Sequence, residues 1–516
     1  MKKIIKNIYQ PVFIAILVLG SFSSCKKFLE APPSKTTSLV PTTTDQLNAL
    51  LNNATNISAV FNQEENGTAT FSTDDYELPK ALYDRSPGTF AMTQIQYLLW
   101  DINYLPDASS QTFWSGEFKK IFYANMVLDY VNKVTGSDAD KAALTADAHL
   151  IRAYSYWELV NTFCLPYTDA NKNEPGLPIK ITTSFEESFA RQPLSKVYDL
   201  IEADLTEALK TTVPLVQNGR ARHWRASKAG VNGFAARYYL NRLNYPKAIE
   251  YANAAMAEYS SLVDYNTEMR YGNPGVYILN SGTPQQSSYT VQYPYTHNNQ
   301  TDYTDQLAWK EHLYFRTLSN GYWWYVPSPS LLALYDQAHD LRYTYHIVEG
   351  YSYDRGLTKP SFDYPAYVFF FKQWLPSGPT VAEMYLTKAE ALARTGDITG
   401  SMTALNTLRA KRMVPGAWVN LIAADKADAV KKVIDERRRE MPFTQRWFDI
   451  RRYNNNEDPN DDVVLTRSFY PYTASSVTTA QPVQTYTLSK GSRRWAAPIP
   501  RTEIISSNGV IEQNTY

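Results

Sequence analysis

The sequence predicts a mainly α fold: helical hairpins of tetratricopeptide type, stacked into a framework that carries a large irregular region rich in Tyr and Trp. Three observations lead there. In residues 227–259, Ala236, Ala248 and Ala255 stand 12 and then 7 positions apart, the spacing of the small residues that let the two helices of a tetratricopeptide pair approach closely. Residues 380–411 repeat the pattern with a turn one residue longer and with Lys411 in place of the last Ala. There Ala382, Leu386, Ala389 and Ala393 share one helix face, Gly396-Asp397 breaks the period, and a second helix follows through Met402, Leu405 and Leu408. Residues 260–379, by contrast, are rich in Gly, Pro, Asn and Tyr, and a loop-rich stretch of that length in a compact domain usually carries function. A helical hairpin cannot bury its apolar face alone, so the pairs must stack. Long insertions separate them, which excludes a regular solenoid.

Composition narrows the function classes. With 44% hydrophobic and 20% charged residues the 516-residue chain is globular. Lys plus Arg and Asp plus Glu both number 51, so there is no overall basic field to attract nucleic acid. The 39 Tyr and 11 Trp exceed what an ordinary aliphatic core needs and point to large amphipathic contact surfaces.

Taken in order, the chain opens with Lys2, Lys3 and Lys6, then an apolar run over residues 12–20 that is too short to span a bilayer, then Ser23, Ser24 and Cys25. This resembles a bacterial lipoprotein signal. Residues 1–24 are expected to be removed and Cys25 to carry lipid, whose acyl chains hold a protein firmly on a membrane. Cys164 then has no disulfide partner. Residues 25–43, rich in Pro, Ser and Thr, read as a tether, and residues 44–516 as one domain. A first helix is expected from about Thr44, with Leu47, Leu50 and Leu51 on one face, followed by irregular chain over 62–92 that holds Asp74-Asp75.

Residues 112–134 have a helical apolar period through Phe118, Ile121, Phe122, Val127, Leu128 and Val131. Asp138 is expected to cap the next helix, which reaches Phe163, with Trp114 and Trp157 in the core. A Pro/Gly loop leads to a helix over about 194–210 and then to the hairpin of 227–259. Short β-like pieces such as 367–371 interrupt the insertion. The helical repeats therefore occupy about 112–163, 194–259 and 380–453. The sign alternation Glu436-Arg437-Arg438-Arg439-Glu440 reads as a salt-bridged helix face.

Six motifs in order resemble the SusD/RagB family of outer-membrane nutrient-binding lipoproteins. They are Cys25 followed by Phe28-Leu29 and Pro32-Pro33; Arg152-Ala153-Tyr154 with Tyr156, Leu159 and Phe163; and Ser227-Lys228 leading to Ala236-Arg237 and Leu240. The others are Ala382-Glu383, Leu386 and Ala389-Glu390-Ala391 with Asn406 and Arg409; Glu436-Arg437, Glu440, Phe443, Arg446, Asp449 and Arg452; and Pro498-Ile499-Pro500, Glu503-Ile504, Gln513-Asn514 and Tyr516. The resemblance implies a right-handed α-α superhelix capped by an irregular half. It also implies a cell-surface lipoprotein that sits on a TonB-dependent SusC-like barrel in the outer membrane, captures oligosaccharides or peptides for import, and is not itself a catalyst.

The residues agree with a binding role. No HExxH, CxxC, GxSxG, Walker or GxGxxG pattern occurs, and the six His lack ligand spacing, so neither metal nor cofactor is expected. Asp74-Asp75 read as surface or capping carboxylates. The stretch NNNEDPNDD at 454–462 offers many oxygens, but it lacks the Gly and spacing of a calcium loop and reads as solvated. A sugar stacks its C–H face on an exposed Trp or Tyr while neighbouring amides and charges take its hydroxyls. The candidates are Trp100 with Asn103 and Tyr104, and Trp309, Tyr322, Trp323, Trp324 and Tyr325 in the insertion. The resemblance implies that binding aromatics come from these two regions. The alternatives are a peptide-binding member, a lipid-anchored glycan hydrolase, and a scaffold whose repeats bind proteins.

Overall fold

The computed structural model describes residues 40–52, 62–63, 66–85, 87–100, 112–271, 275–278, 288–291, 294–295, 306–319, 325–348, 365–369 and 374–516. The signal, Cys25 and most of the tether lie outside the described residues.

Helix α1 (Thr44–Leu51) starts where expected, with Thr43 capping it and Leu47 and Leu51 buried. Helices α2 (Thr112–Tyr130) and α3 (Asp138–Phe163) form a hairpin. Ser137, not Asp138, is the cap of α3, its hydroxyl accepting from the Asp140 N–H at 3.1 Å. Ser137 has the extended backbone a cap requires, while Asp138 lies in the first turn, where its charge suits the helix dipole. Helix α4 (Leu194–Ala208) packs on α3. Helices α5 (Lys228–Asn241) and α6 (Tyr245–Glu258) then pair, α6 packs on α7 (Val381–Thr395), and α7 pairs with α8 (Ile398–Arg409) and packs on α9 (Lys426–Glu440). Helix α10 (Arg446–Tyr453) closes the set.

The small-residue reading holds at every position. Ala236, Ala248, Ala255, Ala382, Ala389 and Ala393 are all buried, and each marks a place where one backbone meets the next helix. The turn between α7 and α8 depends on Gly396, whose φ of +95° is disfavoured for side-chain-bearing residues. Its N–H and that of Asp397 return to the carbonyls of Ala393 and Leu392, closing the helix end.

Residues 62–92, expected to be irregular, contain the short helices Gly67–Phe71 and Lys80–Arg85, and another runs over Met92–Leu98. Segments of five to seven residues are too short for a helical period to show in sequence. Strand β1 (Asn62–Gln63) pairs in parallel with β2 (Thr317–Ser319), which pairs antiparallel with β3 (Trp374–Pro376). This small sheet ties the N-terminal part to the middle and the C-terminal end of the insertion. Gly378 makes the closure possible, because a Cβ there would stand 1.9 Å from the Tyr314 carbonyl oxygen. Of the expected 367–371 piece, Ala366–Tyr367 pairs with Ile347–Val348. A hairpin of β4 (Leu465–Phe469) and β5 (Gln484–Leu488) follows α10.

The charged helices work inward rather than toward solvent. Glu383 and Glu390 on α7 and Glu436 on α9 are fully buried. Arg237 of α5 forks onto Glu383 at 2.6 and 2.8 Å. Arg437 reaches Asp449 at 2.7 Å, and Arg452 reaches Glu390. A second cluster joins the insertion to the repeats: Arg412 meets Glu311 at 2.8 Å and Glu440 at 2.7 Å, and Arg342 meets Asp340 at 2.8 Å and Glu436 at 2.7 Å. The sign alternation in 436–440 is therefore an internal ion network and not a solvated face.

Candidate functional site

A cleft of about 430 Å³ lies in the N-terminal part of the irregular half. It opens where the first short helices, the end of Met92–Leu98, Ser328 and Ser330, and strand β4 meet. Trp100 lines it, but the residue is only 5% exposed, so the open stacking face expected of it is not presented. Helix Met92–Leu98 ends at Leu99, and Trp100 then takes a left-handed backbone with φ +55°. A bulky residue in that region carries about 1–2 kcal/mol of steric strain and persists only where its surroundings hold it. They do so here: the indole N–H donates to the Ser72 carbonyl at 2.9 Å, and the Arg467 guanidinium lies over the ring at 5.4 Å.

Arg467 in turn donates to the carbonyls of Tyr76 at 2.6 Å, Phe71 at 3.0 Å and Thr73. Burial lowers its guanidinium to about 10, which leaves it protonated at neutral pH. Glu77, Lys80, Ser330, Thr466 and Ser468 complete a wall of hydroxyls and charges. Polar groups converging on a cleft are what a hydroxyl-rich ligand requires.

Asp75 is not a surface carboxylate, and Asp74, with a quarter of its side chain exposed, lines the cleft. Asp75 is fully buried, and burial pushes its carboxyl up while the nearby Arg438 guanidinium opposes that shift. It accepts from the Arg438 side chain at 2.6 Å and from the Phe443 N–H at 3.0 Å. Asp74 accepts a fork from Arg446 at 2.7 and 2.8 Å. Burial opposes its ionisation, but Arg446 overrides this and holds the carboxyl well below the usual range. Both groups brace the cleft against α9 and α10.

The other aromatic candidates separate. Trp309 is 2% exposed and packs edge-on against Tyr265 and Phe369. Tyr325 is fully buried against Phe443. The exposed ring expected at each is absent, because the insertion needs its own core and these two rings supply it. Asn103, Tyr104, Tyr322, Trp323 and Trp324 lie outside the described residues. Trp114 and Trp157 are core residues as expected. Arg467, Glu77 and the serines were not legible as site residues; Arg467 sits in an ordinary-looking strand, and no local pattern marks it.

In the 454–462 loop, Asp461 accepts from Arg394 and from Asn456 at 2.9 and 3.0 Å, and Asp462 pairs with Lys490 at 2.7 Å. Asp461 and one oxygen of Asp462 are thus engaged by the fold, while Asp462 Oδ1 is buried with no hydrogen-bond partner. Among the described residues no cluster of three or more His, Cys, Asp or Glu could hold a metal ion, and no helix is long and apolar enough to cross a membrane.

Fold and cleft together define a helical scaffold bearing a loop-built, polar-lined cleft. Comparison with known proteins makes the assignment specific. Residues 27–240 match a family model described as starch-binding associating with outer membrane, and residues 381–516 match the SusD family model. Two proteins of Formosa agariphila are similar. SusD-like protein P2 is 26% identical over 384 residues, covering 66% of this chain and 71% of its own. SusD-like protein P38 is 23% identical over 514 residues, covering 88% and 92%.

Among solved structures, a SusD superfamily protein from Bacteroides thetaiotaomicron superposes with a TM-score of 0.60 at 16% identity, over 92% of this chain and 100% of the other. A SusD-like carbohydrate binding protein from Bacteroides vulgatus gives 0.57 at 16% identity, over 91% and 97%. The chain belongs to the SusD/RagB family, and its fold is the mainly α SusD-like fold.

Proposed function

We propose that this protein is a lipid-anchored outer-membrane receptor that binds oligosaccharides without transforming them and passes them to a TonB-dependent barrel of the SusC type. The observation that carries the reading is the open cleft beside Trp100 and Arg467, lined by hydroxyls and charges. Family membership supports a carbohydrate ligand. Cys25 is the lipid-attachment residue, and the membrane face is the cell surface. Asn103, Tyr104, Tyr322, Trp323 and Trp324 are the further ligand-binding residues in this reading.

The test is calorimetry and affinity-gel electrophoresis of the full-length protein in detergent against a panel of oligosaccharides and peptides, on the wild type and on a W323A/W324A variant. Loss of glycan affinity with an unchanged circular-dichroism spectrum supports the reading. Unchanged affinity in the double variant removes these two residues from the site. Binding of peptides alone replaces the ligand class. Release of shortened products from a polysaccharide by the pure protein overturns the non-catalytic role.

A further inference from the structure

A second hollow, of about 40 Å³, lies away from the cleft beside Trp100, where the C-terminal ends of α3, α5 and α10 converge beside α4. Asn161, Tyr198, Asn241, Arg242, Arg451 and Asn455 line it, and no carboxylate does. Arg451 is 2% exposed. Its guanidinium donates to the Cys164 carbonyl at 2.8 Å and to the Trp495 carbonyl, while its Nε–H has no hydrogen-bond partner. Burial lowers it to about 10, and the groups that oppose this are a phenol and a thiol, Tyr198 and Cys164, not a carboxylate.

Arg242 stacks over Tyr167 at 3.8 Å and Tyr198 at 4.8 Å and has no ion-pair partner among the described residues. Arg452, at the edge, is already taken up by Glu390 and Asp449. A buried guanidinium with an unmade N–H and no ion-pair partner is an expensive arrangement; Arg467 beside Trp100 shares it, whereas Arg237, Arg342, Arg412, Arg437 and Arg452 each face a carboxylate.

We propose that this hollow binds a small free oxoanion, phosphate or sulfate, between Arg242 and Arg451, and that the anion clamps the ends of α3, α5 and α10. The volume admits about three water-sized probes, which suits a tetrahedral oxoanion and excludes a pyranose ring. The site is therefore independent of the saccharide reading. Its effect is on the framework that supports the cleft.

The opposing account is that both arginines only neutralise the negative ends of the three helices. Thermal unfolding of the full-length protein in detergent separates the two, at constant ionic strength, with inorganic phosphate, inorganic sulfate or dextran sulfate replacing chloride. Phosphate and sulfate stabilise most proteins generically, so the reading is the difference between the wild type and R242Q. The expected result is a Tm that climbs with the logarithm of phosphate or sulfate concentration, by about 3 °C at 100 times the dissociation constant, and an increment that is absent in R242Q. Dextran sulfate is expected to give none of it.

Asn241→Asp is the second variant, since it carries the anion in the chain. It should raise Tm in chloride and abolish the phosphate increment. An acid at the C-terminus of α5 is otherwise destabilising, so a lowered Tm with an intact phosphate response overturns the proposal. An equal increment in the wild type and R242Q overturns it too, as does an effect of dextran sulfate that inorganic sulfate lacks.

Discussion

Replacing Glu390 by Gln tests the claim that the buried ion network, and not the Ala faces alone, ties the repeats together. Glu390 is fully buried on α7. Both its oxygens accept from Arg452 of α10, and Oε1 also accepts from Arg394 at 2.8 Å. Burial opposes its ionisation, but Arg452 and then Arg394 hold the carboxyl well below its ordinary value of 4.5. Gln keeps the shape and removes the charge. Removing one partner of a buried pair costs about 3–5 kcal/mol. Arg452 keeps Asp449 at 3.0 Å and Arg394 keeps Asp461, so the loss belongs at the lower end, about 3 kcal/mol.

With an unfolding entropy of about 2.1 cal/mol/K per residue, a domain spanning 44–516 has roughly 1 kcal/mol/K, and Tm should fall by about 3 °C. The carboxyl's folded-state pKa is depressed, so its contribution is complete above the unfolded value and is lost as pH falls through and below it. Calorimetry and urea unfolding of the wild type and E390Q at pH 7 should therefore show the full gap, and the gap should narrow in acid. A loss below about 1 kcal/mol at pH 7, or a gap that does not change with pH, would refute the reasoning that this pair is a net structural tie.

Three further outcomes are expected. His346 is buried and held neutral, with one ring nitrogen toward the Val368 carbonyl and the other toward the Tyr265 hydroxyl, both at 3.0 Å. Burial lowers it to about 4 from an ordinary 6.5. The unfolded chain binds the proton first, so stability should fall as pH drops from about 6.5 to 4, by about 3 kcal/mol for this residue, and H346Q should flatten that slope in urea titrations. Ala248→Leu should destabilise by about 1–3 kcal/mol in the same assay, because Ala248 is fully buried where α6 meets α5. Cys164 is fully buried and burial pushes its thiol up. Iodoacetamide should leave it unlabelled in the native protein and modify it in guanidinium, as read by peptide mass spectrometry.

The framework was legible because packing two helices at close range demands small residues at fixed intervals, and those intervals survive in one dimension. Ala236, Ala248 and Ala255, and the turn at Gly396-Asp397, could be placed from their spacing alone. Helix starts were legible to within a residue or so, while α2 ended four residues and α4 two residues before the expected limits, and the cap of α3 fell on Ser137 because backbone conformation decides a cap, not charge. The short helices of 62–92 escaped, since five to seven residues hold too little period to read.

Aromatic identity told that Trp and Tyr matter, but not which face of each ring is free. Burial of Trp309 and Tyr325 depends on Tyr265, Phe369 and Phe443 arriving from other parts of the chain. The same holds for charge. Sign alternation in 436–440 looks alike on a solvated helix and on a buried one, and only the partners at Arg342, Arg409 and Arg412 make it internal. Sequence by itself determined the repeat framework and the family, because local periodicity and ordered motifs encode them. Tertiary structure alone decided that Arg467 covers Trp100 beside an open cleft and that Arg242 and Arg451 meet without a carboxylate, because those neighbours are hundreds of residues apart and nothing in one dimension records the distance between them.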